Sequence, residues 1–263
     1  MEKIRLAISG AAGRMGQRVI ALAMNEPDFE IVAAIDRADH PRLGQDAGVV
    51  AGVSPLGVSL KSSLETPADV MIDFSHPSAT DKVIELCRIH RMSLVFATTG
   101  ISPEQEKALV ELSRQVPIVR APNMSLAVNL AMKLCQIAAH SLREHDADVE
   151  IIERHHRFKE DSPSGTALQF GKTIAEIMGQ TIHRHGREGR PGRRPHEEIG
   201  YHAVRVGDNP GEHTIIFGML GETLEITVRA SNRDAYAKGA LAAARFIVKQ
   251  PAGLYGMQQV LQL

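Results

Sequence analysis

Residues 153–168 read ERHHRFKEDSPSGTAL and gather groups that exchange protons or bind anions. His155 and His156 follow directly on DVEIIE, an apolar-rich segment that predicts a strand. Because side chains alternate across a strand, the two histidines should point in different directions and serve different purposes. An imidazole can donate or accept a proton near neutral pH, so this pair contains a candidate general acid or base.

The residues that follow are predicted to bind a carboxylate. Lys159 is a compact positive charge suited to holding an acid or donating a proton. The SPSGTA segment predicts a helix start, with Ser162 as the N-cap and Pro163 as the first helical residue. The amides of Gly165 and Thr166, with the Thr166 hydroxyl, would then face an anion at the positive end of the helix dipole.

A metal site is the alternative chemistry for the same stretch. Adjacent histidines followed by Asp161 lack the i, i+4 spacing of a zinc-binding helix, and no cysteine lies nearby in the sequence. We therefore expect no metal ion here. We interpret Glu160 and Asp161 as solvated loop acids without a role in the chemistry.

A glycine-rich turn near the N-terminus predicts a second site. The segment SGAAGRMGQ places Gly10, Gly13 and Gly16 between an apolar strand and an amphipathic helix. Glycine there allows a tight turn and lets the backbone approach a pyrophosphate at the helix N-terminus. Asp36 ends the next apolar segment, about 20 residues on, where an acid can bind the ribose of a dinucleotide. Arg37 either meets the 2′-phosphate of NADP or is solvated, so the choice between NADH and NADPH stays open.

Two further segments are small and polar where a core segment would be apolar. FATTG (96–100) and APNMS (121–125) each end a predicted strand. The carboxyl ends of strands in an open parallel sheet line the ligand crevice. These segments are therefore predicted to carry backbone contacts to nicotinamide and its ribose, with an ordinary turn as the alternative.

The scaffold for these sites follows from the periodicity of the chain. In the first half, short apolar segments alternate with amphipathic ones, which predicts an α/β fold with a doubly wound parallel sheet. After a long amphipathic helix at 125–142, the pattern changes to strands joined by Gly-containing turns. This change predicts a second α+β domain on a mixed or antiparallel sheet, in which Leu224, Ile226 and Val228 share one buried face. A last amphipathic helix, 234–250, is predicted to return to the first domain.

Composition and charge argue against several classes of protein. The chain has 30 Lys and Arg against 31 Asp and Glu, which argues against a general nucleic-acid or membrane-surface binder. The Arg-rich segment 183–198 lacks interleaved aromatics, so we interpret it as a solvated or substrate-closing loop rather than a nucleic-acid patch. The N-terminus lacks the apolar region of a signal peptide, and Cys87 and Cys135 have the pattern of reduced packing residues. We expect a soluble, cytoplasmic protein.

The motifs taken together resemble a known family. GAAGRMG, FATTG, APNMS, ERHHRFKEDSPSGTAL and RVGDNPGEHT occur in order over nearly the whole chain, and they resemble the 4-hydroxy-tetrahydrodipicolinate (dihydrodipicolinate) reductases of bacterial lysine and diaminopimelate synthesis. The resemblance implies a Rossmann-type dinucleotide-binding domain of residues 1–125 and 235–263. It also implies a substrate-binding and oligomerisation domain of residues 126–234, and a homotetramer. The implied reaction reduces a cyclic imine dicarboxylate with NADH or NADPH.

The resemblance also implies roles for individual residues. His155 matches the general acid, and Lys159 matches the proton donor or substrate anchor. The implied substrate contacts are His156, Gly165 and Thr166. The implied cofactor contacts are Gly10, Ala11, Ala12, Gly13, Arg14, Met15, Asp36, Arg37, Ala97, Thr98, Thr99, Ala121, Pro122, Asn123 and Met124. This sequence departs from the family pattern at three of these, with Ala97 in place of a frequent Gly, Pro122 in place of Ala and Asp36 in place of Glu.

Two other functions fit parts of the sequence. A different small-acid dehydrogenase on the same scaffold would commonly need a nucleophilic cysteine, and neither Cys87 nor Cys135 lies at a predicted strand end. A protein that binds NAD(P) without turning it over would keep the glycine turn but would not need the two histidines and the lysine.

Overall fold

The computed structural model describes residues 2–263. The chain divides into two compact units, one that runs through Leu126 and includes Arg233–Leu263, and one formed by Ala127–Asn232. These bounds lie within two residues of the domain bounds expected from the sequence.

Within the described residues, the first unit contains a sheet of seven strands in which every neighbouring pair is parallel. The strands are β1 Ile4–Ser9, β2 Phe29–Ile35, β3 Leu60–Lys61, β4 Val70–Asp73, β5 Ser93–Phe96, β6 Pro117–Arg120 and β12 Gly253–Tyr255. Their spatial order is β12-β6-β5-β4-β1-β2-β3. β4 and β5 are buried along their whole length, as expected for central strands covered on both faces. The predicted doubly wound parallel sheet is confirmed.

Six helices accompany the parallel sheet in the described part of the first unit. They are α1 Arg14–Ala23, α2 Ala47–Val50, α3 Thr80–His90, α4 Pro103–Ser113, α7 Asp234–Ile247 and α8 Met257–Val260, numbered along the whole chain. Ser102 caps α4, and its side chain and that of Gln105 form a reciprocal capping box. The sequence predicts a last helix over 234–250, but the helix there, α7, ends at Ile247 and is followed by α8.

The second unit is built on a mixed sheet. Among the described residues it has five strands, which are β7 Asp148–His155, β8 Ile182–His185, β9 Glu198–Arg205, β10 Glu212–Met219 and β11 Glu222–Arg229. β7 lies between β10, to which it is antiparallel, and β9, to which it is parallel. α6 (Gly165–Met178) and the greater part of α5 (Leu126–Leu142) supply the helical layer. The predicted second α+β domain on a mixed sheet is confirmed.

The start of α6 corrects one sequence prediction. The helix begins at Gly165, and its N-cap is Ser164, whose hydroxyl accepts a hydrogen bond from the Ala167 amide at 3.1 Å. Ser162 and Pro163 were predicted to hold these positions, but both precede the helix. Ser164 is 2% exposed, so its side chain is fixed where it can cap the first turn, whereas Ser162 is exposed.

The buried face of β11 is shorter than the sequence alternation suggested. Val228 is buried and Ile226 packs partly against the core, but Leu224 is 41% exposed. Leu224 lies close to the turn that joins β10 to β11, beyond the reach of the apolar cluster. The prediction of a continuous buried face is therefore wrong at this end of the strand.

The Arg-rich segment is held against the sheet. The Arg187 guanidinium pairs with Glu150 at 2.5 Å and also with Glu198, and Arg194 pairs with Glu150 at 3.1 Å. Burial raises the pKa of Glu150, but hydrogen bonds from Arg187, His202 and Arg194 outweigh it and hold the pKa at about 2. The expectation of a solvated loop is therefore wrong for these two arginines.

Two further features of the fold concern the cysteines and the lengths of the helices. Cys87 and Cys135 are buried and unbridged, as the sequence predicted, and burial raises the pKa of the Cys135 thiol to about 12. Among the helices of residues 2–263, none is long and apolar enough to cross a membrane.

Candidate active site

The glycine turn joins β1 to α1 and depends on the absence of side chains. Gly10 has φ +72°, and a Cβ at this position would lie 2.6 Å from the Phe74 carbonyl oxygen. A Cβ at Gly16 would lie 2.2 Å from the Gly10 carbonyl oxygen. The N-cap of α1 is Gly13, which has no side chain with which to cap the first-turn amides. This end of α1 is therefore shaped to receive an anionic group.

Asp36 holds the turn and faces the cleft beside it. Its carboxylate accepts hydrogen bonds from the amides of Ala12 and Arg37, both at 2.9 Å. The cleft has a volume of about 650 Å³, and five residues predicted to bind the cofactor line it. These are Gly10, Ala12, Gly13, Asp36 and Arg37. The Arg37 side chain is 68% exposed, with its guanidinium 3.2 Å from Asp39.

The remaining predicted cofactor residues lie elsewhere in the first unit. Arg14 and Met15 are the first two residues of α1, and Ala11 is buried in the turn. The others follow the carboxyl ends of β5 and β6, at the edge of the sheet that carries the glycine turn. They are Ala97, Thr98, Thr99, Ala121, Pro122, Asn123 and Met124.

Two of these side chains are buried in the protein interior. The Thr98 hydroxyl donates to the Asp73 carboxyl group at 2.6 Å, and burial raises the pKa of Asp73. The Met124 side chain is 1% exposed and belongs to the apolar core. Any contact between Met124 and a cofactor would therefore come from its backbone.

In the second unit, His155 ends β7 and is almost completely buried. Its Nδ1 lies 2.6 Å from Oε2 of Glu153, which is 1% exposed. Glu153 also pairs with Arg205 of β9 through two hydrogen bonds of 2.8 and 2.7 Å, and it accepts the Ser164 amide at 3.0 Å. Burial raises the pKa of Glu153, but the bonds from His155 and Arg205 outweigh it and hold the pKa at about 2.

A third histidine, which sequence reasoning missed, lies against His155. The two rings meet edge to face, with 5.2 Å between the centroids of His155 and His213. Nε2 of His213 lies 3.0 Å from the Ser164 hydroxyl. Burial, reinforced by the charge of His155, lowers the pKa of His213 to about 4. His213 is therefore neutral at physiological pH.

His156 directly follows β7 and makes different contacts from His155. Its amide donates to the Asn209 carbonyl at 2.8 Å, and the ring lies beside Phe158. Nδ1 of His156 is buried and has no hydrogen-bond partner among residues 2–263. A buried nitrogen without a partner is costly, and a ligand group could satisfy it.

Lys159 and Asp161 form an ion pair in the loop after β7. Lys159 Nζ lies 2.8 Å from Asp161 Oδ1, and the lysine side chain is 20% exposed. Burial raises the pKa of Asp161, but hydrogen bonds from Lys159 and from the Gly165 amide lower it below its ordinary value. The Asp161 side chain is 61% exposed, as expected of a solvated loop acid, but its carboxylate contacts two of the groups predicted to bind a carboxylate.

Sequence reasoning missed four residues that surround His155. They are Glu153, Ser164, Arg205 and His213. Strand alternation was a signal for one of them, since Glu153 and His155 are two residues apart and share a face. Over the described part of the chain, no group of three or more His, Cys, Asp or Glu side chains is arranged to hold a metal ion.

Both units of the chain match models of known protein families. The family described as "Dihydrodipicolinate reductase, N-terminus" matches residues 4–124, and "Dihydrodipicolinate reductase, C-terminus" matches residues 127–261. The chain belongs to the dihydrodipicolinate reductase family. The resemblance seen in the sequence motifs is thereby confirmed.

Relatives in the family are similar over their whole length. A 4-hydroxy-tetrahydrodipicolinate reductase from Rhodopirellula baltica is 54% identical, over 98% of this chain and 96% of the relative. One from Citrifermentans bemidjiense is 43% identical, over 99% of each.

Two solved structures are similar to this chain, one of them a dihydrodipicolinate reductase. A dipicolinate-bound dihydrodipicolinate reductase from Paenisporosarcina sp. TG-14 superposes with a TM-score of 0.78 at 27% identity, over 98% of this chain and 99% of that one. An amine dehydrogenase from Mycobacterium smegmatis has a TM-score of 0.64 at 14% identity, over 95% of this chain and 94% of that one, and shares the fold alone.

Proposed function

We propose that this protein reduces 4-hydroxy-tetrahydrodipicolinate to tetrahydrodipicolinate with NADH or NADPH, in diaminopimelate and lysine biosynthesis. The observation that carries the proposal is the match of both units to one reductase family, with relatives of that name at 54% and 43% identity. The groups around His155, Lys159 and the start of α6 support the proposal, because the reaction needs a proton donor and a site for carboxylates.

The first unit fits a nicotinamide dinucleotide. The uncapped start of α1 suits the pyrophosphate, and Asp36 lies in the cleft where a ribose hydroxyl would bind. When bound, the nicotinamide supplies the hydride. The residues after β5 and β6 would orient its ring, and Arg37 in the same cleft could meet the 2′-phosphate of NADPH.

The substrate is a cyclic dicarboxylate, and the second unit offers groups that bind such an acid. The Paenisporosarcina relative binds dipicolinate. Here Lys159 and the first residues of α6, Gly165 and Thr166, would hold one carboxylate through charge and amide hydrogen bonds. The unpartnered Nδ1 of His156 would bind a second polar group of the substrate.

His155 would donate the proton. The net reaction takes up a hydride at C4 of the ring and a proton, and it releases the hydroxyl group as water. His155 has one nitrogen fixed by Glu153, which leaves Nε2 as the position from which a proton can be transferred. Lys159 provides the positive charge that holds the substrate against it.

A spectrophotometric assay tests this function. Freshly generated substrate should cause oxidation of NADH or NADPH by the purified protein, followed as the loss of reduced-nicotinamide absorbance. Parallel runs with both nucleotides would settle the preference that Asp36 and Arg37 leave open. Tight NADH binding without turnover would contradict the proposal and favour a dinucleotide-sensing protein.

We also propose that the protein is a cytoplasmic homotetramer, as the family resemblance implies. The outer face of the second sheet supports self-association, because Ile152 and Val204 on that face are 40% and 42% exposed. Light scattering on the purified protein should give four times the 28.6 kDa chain mass.

A further inference from the structure

The contact with Glu153 determines which ring nitrogen of His155 carries a hydrogen. An ionised carboxylate only accepts hydrogen bonds. Glu153, with a pKa of about 2, is ionised at neutral pH and lies 2.6 Å from Nδ1 of His155. Nδ1 must therefore carry the hydrogen in both the neutral and the charged ring. Only Nε2 is left to gain and lose a proton.

We propose that Glu153, held by Arg205, is the positioning residue for the proton transfer. It orients the ring of His155 and fixes its tautomer, so that Nε2 is always the nitrogen that delivers the proton. This role rests on the proposed function of His155 as the acid.

Arg205 makes this arrangement rigid and extends it to the loop. It lies directly opposite His155 in the parallel pairing of β7 with β9, and its two terminal nitrogens each bond a different oxygen of Glu153. One of these nitrogens also donates to the Asp161 carbonyl at 2.7 Å. The same guanidinium therefore fixes the partner of His155 and the loop that carries Lys159.

The other ionisable group against His155 does not compete for this role. His213 faces the ring edge to face, but it is neutral above pH 4 and its Nε2 bonds the Ser164 hydroxyl. Ser164 in turn donates its amide to Glu153. The charged side chain in contact with His155 is Glu153, which Arg205 pairs, while Lys159 and Glu212 act on the neighbouring ring of His213.

The wild-type protein tests the tautomer without any substitution. With ¹⁵N-labelled histidine, the neutral ring of His155 should show the chemical shifts of an Nδ1–H tautomer, although the side chain of free histidine favours Nε2–H. His155→Asn identifies the signal by its loss. An Nε2–H tautomer at His155 would overturn the proposal.

The substitution Glu153→Gln tests the link to catalysis. The side chain keeps its shape, but its amide can donate to Nδ1 and so move the ring hydrogen to Nε2. We expect kcat to fall roughly 100-fold while the KM for substrate and the affinity for NADH change by less than about threefold. Glu153→Asp, which keeps the carboxylate, should recover part of the loss.

Glu150→Gln is the matched control. Glu150 lies on the same strand and also pairs with arginines, but it does not contact His155. Its loss should leave kcat unchanged. In a His155→Asn background, Glu153→Gln should cause no further loss of kcat. An active wild type together with a folded Glu153→Gln variant of normal kcat would overturn the positioning role, whereas an inactive wild type would contradict the proposed function itself.

Discussion

The glycine turn of the first unit and the histidine site of the second unit are built by opposite means. The turn is made of backbone, and Gly10 and Gly16 stand where any Cβ would overlap a carbonyl group. The histidine site is made of side chains, with His155, Glu153 and Arg205 joined by charge-assisted hydrogen bonds away from water.

The two sites should therefore be sensitive to different kinds of substitution. The glycine turn requires that no side chain occupy the space beside its backbone, so adding even a methyl group should damage it. Changes of charge near the turn should matter less. A buried network of side chains depends on charge, so removing one partner leaves another unpaired in a low-dielectric environment. The following variants separate the two cases.

The largest effect is expected at the proposed proton donor. His155→Asn should lower kcat about 10²- to 10⁴-fold, because it removes the ring proposed to transfer the proton. The affinity for NADH should stay unchanged, since the cofactor cleft is formed by residues of the first unit. Steady-state kinetics and fluorescence titration with NADH measure the two quantities, and a variant with near-normal kcat would refute the role of His155.

The pH dependence of stability should come partly from His213. Its pKa is about 4 in the folded protein and 6.5 ordinarily, so between these values the unfolded chain binds more protons than the folded one. Stability should therefore fall as the pH drops from 6.5 to 4, by on the order of 3 kcal/mol. His213→Asn should flatten urea-unfolding stability over this range, although it lowers stability at pH 7. An unchanged slope would contradict the burial of a neutral ring.

Adding a methyl group to the glycine turn should weaken NADH binding. Gly16→Ala places a Cβ 2.2 Å from the Gly10 carbonyl oxygen, an overlap with backbone that costs about 1–3 kcal/mol. Gly13→Ala is the milder comparison, because its Cβ would lie 3.1 Å from the same oxygen. NADH titration should show weaker binding by about fivefold to 100-fold for Gly16→Ala and a smaller loss for Gly13→Ala. Equal affinities would show that the turn is not limited by volume.

The smallest effect is expected at Asp161. Its carboxylate bonds Lys159 and the Gly165 amide, the groups proposed to hold a substrate carboxylate. Asp161→Asn should therefore lower the KM for substrate, by at most about fivefold because the pair is partly exposed. Steady-state kinetics checks this. An increase in KM would mean that Asp161 positions Lys159 rather than competing with the substrate.

Much of the scaffold could be predicted because it depends on short-range patterns. The strand and helix alternation, the glycine turn and the Ser102 cap all follow from residues within one turn or one strand of each other. The start of α6 was wrong by two residues, because Ser162 and Ser164 are both good caps and only burial decides between them. The strands β3 and β12 carry too few residues to show a period, and β8 reads IHRH, which has no apolar run to indicate a strand.

The candidate residues for the chemistry, which are the histidine pair, Lys159 and the glycine turn, could be predicted from the sequence alone. The contacts that hold His155 could not. Arg205 is 52 residues from Glu153, and His213 is 49 residues from Ser164. These contacts exist because β7 pairs with β9 on one side and β10 on the other. No local pattern specifies that order, since it depends on how the whole sheet buries its apolar face.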